Sequence, residues 1–230
     1  MSSIELVVFD IAGTTVRDNG NVAIAFIGAF KDFGVDMPFS EVQKVMGFRK
    51  KEAIALLLEK FMPARKDDEV LIDRIHTRFI DTMIAFYKDD RDLGPFPEAE
   101  KVFFALQQKG IKVALNTGFT RSITDAILHR LRWDERSPLI DKTICSDEVP
   151  HGRPHPDMIK VLMSDLGIAS SDRVLKVGDT EVDVAEGRNA GCGGVVSVTT
   201  GAYTRQQLEG YQPDFVIDDL IELLPIIEKA

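Results

Sequence analysis

"IELVVFDIAGTT", residues 4–15, opens the chain and decides its fold. The apolar run is Val-rich and too short for a helix, so it reads as a buried strand with Asp10 at its end. Gly13, Thr14 and Thr15 follow at once. The same form recurs in "IKVALNT" (111–117), "DRVLKVGD" (172–179), "GGVVSVT" (193–199) and "PDFVIDD" (213–219). Helical patterns lie between these runs, among them "PEAEKVFFALQQKG" (97–110) with Gly110 at its C-terminal cap. The alternation implies an α/β fold, an open Rossmann-like parallel sheet covered by helices on both faces. Such sheets bind ligands at the carboxyl ends of their strands.

One segment breaks the alternation. "NVAIAFIGAFKDFG" (21–34), "FSEVQKVMG" (39–47), "KKEAIALLLEKF" (50–61) and "EVLIDRIHTRFIDTMIAFYKDD" (69–90) all carry apolar residues three and four apart. They read as a small α-helical bundle inserted after the first strand, and "GPFP" (94–97) restarts the α/β pattern. The expected division is a core of 1–16 and 90–230 with an insertion of 17–89. The apolar face of 21–34 is a candidate homodimer interface, and packing within the bundle explains it equally well.

Composition excludes several classes of function. A net charge of −9 argues against a nucleic-acid surface and against anionic membranes. No apolar run is long enough to span a bilayer, and no signal-peptide pattern is visible. Cys145 and Cys192 show no metal spacing and read as reduced thiols of a cytoplasmic protein. The partner expected is a small molecule.

The strand ends carry the chemistry. The first offers Asp10, Gly13, Thr14 and Thr15, and the second Asn116, Thr117 and Gly118. Arg153 follows in "GRPHP", then Asp179 and Asp183 in "VGDTEVD". Carboxylates, a hydroxyl, a cation and glycine-rich turns suit a divalent metal together with a phosphoryl group. Each residue alone has a plain explanation: an Asp before a turn, a helix start, two acids at a helix N-terminus, an exposed Arg. Their ordered fall at strand ends makes the joint reading the stronger one.

With these motifs the sequence resembles the haloacid dehalogenase superfamily over nearly its full length. The resemblance implies that Asp10 attacks phosphorus and that Thr117 and Arg153 hold phosphoryl oxygens. It also implies that Asp10, the Ala12 carbonyl, Asp179 and Asp183 serve Mg2+, and that the helical insertion is a cap over the site. Gly13, Thr14, Asn116, Gly118 and Arg121 are the expected substrate-binding residues. Most phosphatases of the superfamily place a second aspartate where this chain has Ala12, and a lysine where it has Arg153. "AGTT", "NTGFTR", "EVPHGRPHP" and "KVGDTEVDVAEGRNAG" are similar instead to the phosphonatase branch, as is "MGFRK" (46–50), which points to Lys50. The chain departs from that branch at Ala53 (a histidine there), at Phe119 (a tyrosine there) and in "RDNGN" (17–21), which lacks a cysteine. The substrate is left open between phosphonoacetaldehyde and a substituted analogue. None of His76, His129, His151 and His155 falls at the cap position; all four read as structural or exposed, with His155 beside the Arg153 motif.

Ala12 makes chemical sense on this reading. An alkoxide leaving group gains from a general acid. A phosphonate leaves as a carbanion, which needs an electron sink, and a lysine iminium two bonds from phosphorus supplies one. An acid at position 12 would only repel a dianionic substrate. The mechanism needs a neutral Lys50, whereas free lysine titrates near about 10.4. Burial under a closed cap and the neighbouring Arg49 and Lys51 favour the neutral amine, while the substrate's own negative charge opposes it, and the sequence leaves the balance open. The competing readings of Lys50 are an exposed helix-start residue and a cation that grips phosphate. The rival activity is a Mg2+-dependent phosphomonoesterase acting on a small phosphorylated metabolite.

Overall fold

A computed structural model describes residues 3–89, 93–134 and 137–229. The strands β1 (Leu6–Phe9), β2 (Lys112–Thr117), β3 (Lys142–Cys145), β4 (Val174–Gly178), β5 (Gly194–Val198) and β6 (Phe215–Ile217) form one sheet in the order β3-β2-β1-β4-β5-β6. Every pairing is parallel. β1 lies between β2 and β4, where the chain order reverses, with Phe9 in register with Leu115 on one side and Val177 on the other. That reversal opens a crevice at the carboxyl ends of the central strands.

Strand periodicity sorts the core. Leu6, Val8 and Ala114 face one side of the sheet, where Met158, Ile159 and Leu162 of the helix Asp157–Leu166 pack on them. Val7, Phe9, Val113 and Leu115 face the other, against the helices Ala99–Gln108 and Arg121–Leu131. Burial on both faces explains why each central strand is an unbroken apolar run.

Among the described residues four α-helices, and a short 3-10 turn at Pro63–Arg65, lie between β1 and the helix at Ala99: α1 (Asn21–Lys31), α2 (Phe39–Gln43), α3 (Lys50–Phe61) and α4 (Glu69–Asp89). The apolar face of α1, Val22, Ala25, Phe26, Ala29 and Phe30, is buried within this group, and Phe26 meets Phe79 of α4 at a ring distance of 4.4 Å. Ile24 remains on the outside, 60% exposed.

Two sequence expectations need correction. "KTIC" forms the edge strand β3, which was not anticipated, because four residues with a lysine at the start carry too little periodicity. "FSEVQKVMG" was expected to be helical throughout, but α2 ends at Gln43, and Gly47 adopts a left-handed φ of 82°. The end of the fourth helical stretch, Asp90, and the boundary placed there fall outside the described residues.

Candidate active site

Asp10 leaves β1 with its N–H bonded to Val177 O at 2.9 Å, so the strand ladder fixes its backbone. The turn behind it is closed by Thr15 Oγ1, which donates to Asp10 O at 3.0 Å. Gly13 has a φ of 90°, and a β-carbon there would lie 2.7 Å from Asp179 Oδ2, so this turn admits only glycine. Thr14 Oγ1 donates to Asp179 Oδ1 at 3.0 Å, and Ala202 N to Asp179 Oδ2 at 2.7 Å. The first and fourth strand ends are thereby joined.

Beneath Asp10 lies a fully buried charge network. Arg153 forms ion pairs with Asp10 Oδ1 at 2.6 Å, Asp183 Oδ1 at 3.0 Å and Glu186 Oε2 at 3.2 Å. Its Nη2 donates to Asn116 O and Oδ1 at 2.6 and 2.8 Å. Lys176 Nζ donates to Asn116 Oδ1 at 2.7 Å and pairs with Asp183 at 3.0 Å and Glu186 at 3.3 Å. Asn116 Nδ2 reaches both Glu186 oxygens at 2.9 Å. Burial alone would lower the Arg153 pKa, but Asp183, Asp10 and Glu186 outweigh it and hold the pKa above its ordinary value.

Above Asp10 the chain brings Lys50, the first residue of α3. It is 3% exposed, with Nζ 4.9 Å from the Phe119 ring centre and 5.8 Å from that of Phe26. Its Nζ donates a hydrogen bond to Phe48 O at 3.2 Å. Burial pushes its pKa down to about 8; Asp10, Asp18 and Asp179 pull upward, and Arg153 adds to the fall. Arg49 and Lys51, expected to repel the charge, point elsewhere: Arg49 donates to Pro150 O and Lys51 pairs with Asp73.

Asp10, Ala12, Lys50, Thr117, Gly118 and Asp179 together line a cavity of about 20 Å³, the room of a single water. Helices and core meet here at glycines, with main chain against main chain at Gly118 and side chains of Thr180 and Arg49 against the backbone at Gly47 and Gly152. A β-carbon on Gly118 would fall 2.5 Å from Phe48 O, one on Gly47 2.5 Å from Thr180 Oγ1, and one on Gly152 2.6 Å from Arg49 Cβ.

The expected site residues separate into those the cavity gathers and those it does not. Asn116 lies beneath the cavity, its amide engaged by Glu186, Lys176 and Arg153, so it organises the network rather than facing a ligand. Asp183 Oδ2 accepts from Thr180 N and Oγ1, and its Oδ1 pairs with Arg153 and Lys176, so it stands behind the site. Arg121 is a clear departure. Its guanidinium pairs with Glu148 at 2.5 Å and donates to Thr143 O at 3.0 Å, beside the edge strand and away from Asp10. His151 and His155 stack at 5.0 Å on the surface and line no part of the cavity. Sequence reasoning missed Lys176 and Glu186. The available signals were a lysine inside a buried strand and a glutamate three residues after Asp183 on the same helix face.

The donor set fits a hard divalent cation. The buried charged side chains comprise Asp10, Asp179, Asp183 and Glu186 against Arg153, Lys176 and Lys50. Among the described residues no ion pair reaches Asp179, whose pKa is raised well above the carboxylate range by burial, then by Asp10 and Asp183. Burial likewise raises Asp10, against the pull of Arg153. Also among the described residues, no three Asp, Glu, His or Cys side chains are grouped as a metal cage. Two carboxylates supplemented by a carbonyl, water and substrate oxygens are what magnesium ordinarily accepts.

Comparison with known proteins agrees with this geometry. Residues 4–191 match the haloacid dehalogenase-like hydrolase family model. A phosphonoacetaldehyde hydrolase of Parabacteroides distasonis is 34% identical, over 100% of this chain and 97% of its own. One of Paraburkholderia phytofirmans is 30% identical over 99% and 95%. Among solved structures, a phosphonoacetaldehyde hydrolase-like protein of Oleispira antarctica superposes with a TM-score of 0.84 at 23% identity, covering 99% of this chain and 92% of that one. A buried aspartate at the central strand end, with a buried arginine beneath it and a buried lysine above it, thus accompanies a family match across most of the sequence, and the chain belongs to the haloacid dehalogenase-like hydrolases, on their phosphonatase-like branch.

Proposed function

We propose that this enzyme cleaves the C–P bond of a 2-oxoethylphosphonate, phosphonoacetaldehyde or a close analogue, with residues 17–89 as a cap over a core of 1–16 and 90–230. The observation that carries the reading is Lys50: a buried amine with a pKa of about 8, on the wall of the same cavity as Asp10, where Ala12 leaves no acid.

The neutral Lys50 amine adds to the aldehyde carbon and water leaves, giving an iminium. An Asp10 carboxylate oxygen attacks phosphorus. The C–P bond breaks, and its electron pair moves into the iminium to give an enamine on Lys50. Water then releases phosphate from Asp10, and protonation and hydrolysis of the enamine free the aldehyde product. Thr117 and the Gly118 backbone border the phosphoryl position, and Arg153 holds the Asp10 carboxylate in line. Asp10, the Ala12 carbonyl and Asp179 would hold Mg2+, with Asp183 behind them, and the ion would offset charge on the phosphoryl oxygens.

Phosphate release from phosphonoacetaldehyde, compared with release from an alkyl phosphate, tests the proposal. Fast turnover of the first and slow turnover of the second is expected. Equal, rapid turnover of alkyl phosphates with none of the aldehyde would instead identify a phosphomonoesterase.

A further inference from the structure

Next to the cavity at Asp10 lies a larger one of about 230 Å³. Its walls are the loop after β1 (Asp18, Asn19), the cap (Phe39, Gln43, Met46) and the loop after β5. The two cavities adjoin. Met46 lines both, and Gly201 of the larger one packs so closely on the Asp179 carboxylate that a β-carbon there would overlap it. Gln43 Nε2 donates to Ala202 O at 3.3 Å and ties the cap to the core across this space.

The lining has a definite chemistry. Among the described residues its single charged side chain is the Asp18 carboxylate, and Asn19, Gln43 and Thr200 supply neutral polar groups. Among the described residues no cation lines the cavity, so a second phosphate or a carboxylate on the substrate would find no partner on its walls and would face the Asp18 carboxylate. Asp18 Oδ1 accepts the Val22 N–H at 3.0 Å, which anchors the carboxylate at the start of α1. Burial raises the Asp18 pKa while that hydrogen bond and the Lys50 charge lower it, so acid and amine interact within one partly dried space. A two-carbon aldehyde makes no use of a second polar room.

We propose that this cavity is a subsite for a hydroxyl on the carbon between phosphorus and aldehyde, with Asp18 accepting the hydrogen bond and Gln43 closing the subsite from the cap. The inference rests on the C–P reading above and narrows its substrate class to 1-hydroxy-2-oxoethylphosphonate, whose cleavage yields glycolaldehyde and phosphate. Asp18 is then a specificity residue.

Phosphate release from this compound and from phosphonoacetaldehyde is measured with the intact enzyme, with Asp18→Ser and with Gln43→Leu. Serine retains the ability to begin a helix and withdraws the carboxylate. The intact enzyme is expected to favour the hydroxylated substrate in kcat/KM by roughly tenfold or more, the scale of a hydrogen bond to a charged group. Asp18→Ser is expected to erase most of that ratio, and Gln43→Leu to reduce it from the cap side. A ratio near one in the intact enzyme, or a ratio unmoved in both variants, would overturn the subsite and leave C–P cleavage standing. Absence of phosphate release from either aldehyde would overturn the C–P reading and the subsite with it.

Discussion

Lys176 and Lys50 are both buried lysines, one below Asp10 and one above it. Lys176, 0% exposed, has Asn116, Asp183 and Glu186 within 2.7–3.3 Å. Lys50, 3% exposed, has a carbonyl oxygen and two aromatic rings. Equal burial therefore has opposite consequences. Below, carboxylates match the desolvated charge and the cation is part of the scaffold. Above, among the described residues no carboxylate forms an ion pair with the amine, and its pKa falls to about 8, which brings the neutral form proposed for catalysis within reach.

The contrast breaks most sharply at Lys50→Arg, which preserves a cation and removes the nucleophile. Phosphate release from phosphonoacetaldehyde should fall by roughly 10⁴-fold or more, the scale on which loss of a nucleophile acts. Borohydride with the aldehyde should inactivate the intact enzyme, with the adduct on Lys50 by mass spectrometry. Full activity in Lys50→Arg, or an adduct confined to Lys51, would reject the distinction.

Below Asp10 the test is stability. Lys176→Met strands Asp183 and Glu186 with one cation fewer and should destabilise the fold by about 3–5 kcal/mol in urea. Adding Glu186→Gln should recover part of that loss. A double variant no more stable than the single one would show that the network is not held by charge balance.

Above Asp10 the sign reverses. Taking Lys50 from 10.5 in the unfolded chain to about 8 in the native protein costs about 3 kcal/mol below pH 8. Between about 8 and 10.5 the unfolded chain binds a proton that the native state does not, so stability climbs with pH through that window. Lys50→Met should abolish this slope and gain up to about 3 kcal/mol at pH 7. The intact enzyme should show a rate that rises with pH around a midpoint near 8.

The smallest expected effect is at Phe119. Phe119→Ala removes a cation–ring contact worth about 0.5–1 kcal/mol, which alone would lower the lysine pKa further. It also admits water, and since burial is the leading cause of the shift, the midpoint should move above 8. A midpoint that moves down would make the ring, and not dryness, the dominant influence.

The central strands and the helical insertion were legible because their periodicities are long and unmixed, as in Leu6–Phe9 and Lys50–Phe61. Asp10, Thr117 and Asp179 could be grouped from sequence because strand ends are where such sheets place ligands, whereas Arg153, expected to hold phosphoryl oxygens, lies wholly buried on Asp10, Asp183 and Glu186 and outside the cavity lining. Arg121 was misleading: a motif fixes its position in the chain, but Glu148, twenty-seven residues away, fixes where its guanidinium goes. Lys176 and Glu186 could not be paired from sequence, because their meeting depends on a strand and a helix packing face to face. Arg49 and Lys51 flank Lys50 in sequence, yet the helix turns them outward, and the cation acting on the amine is Arg153.

The glycine contacts at Gly47, Gly118 and Gly152 bear on how the proposed cap would move against the core. Interlocked side chains can yield by rotamer changes and let a joint slide by degrees. At Gly118 main chain rests on main chain and has no such compliance, so the proposed cap should have one seated register and no graded series of nearly seated ones. The space left when it is seated, about 20 Å³, is too small to admit a phosphonate from solvent. The joint should therefore behave as a latch, fully engaged or fully released, so that a single β-carbon at Gly118 would wedge it ajar.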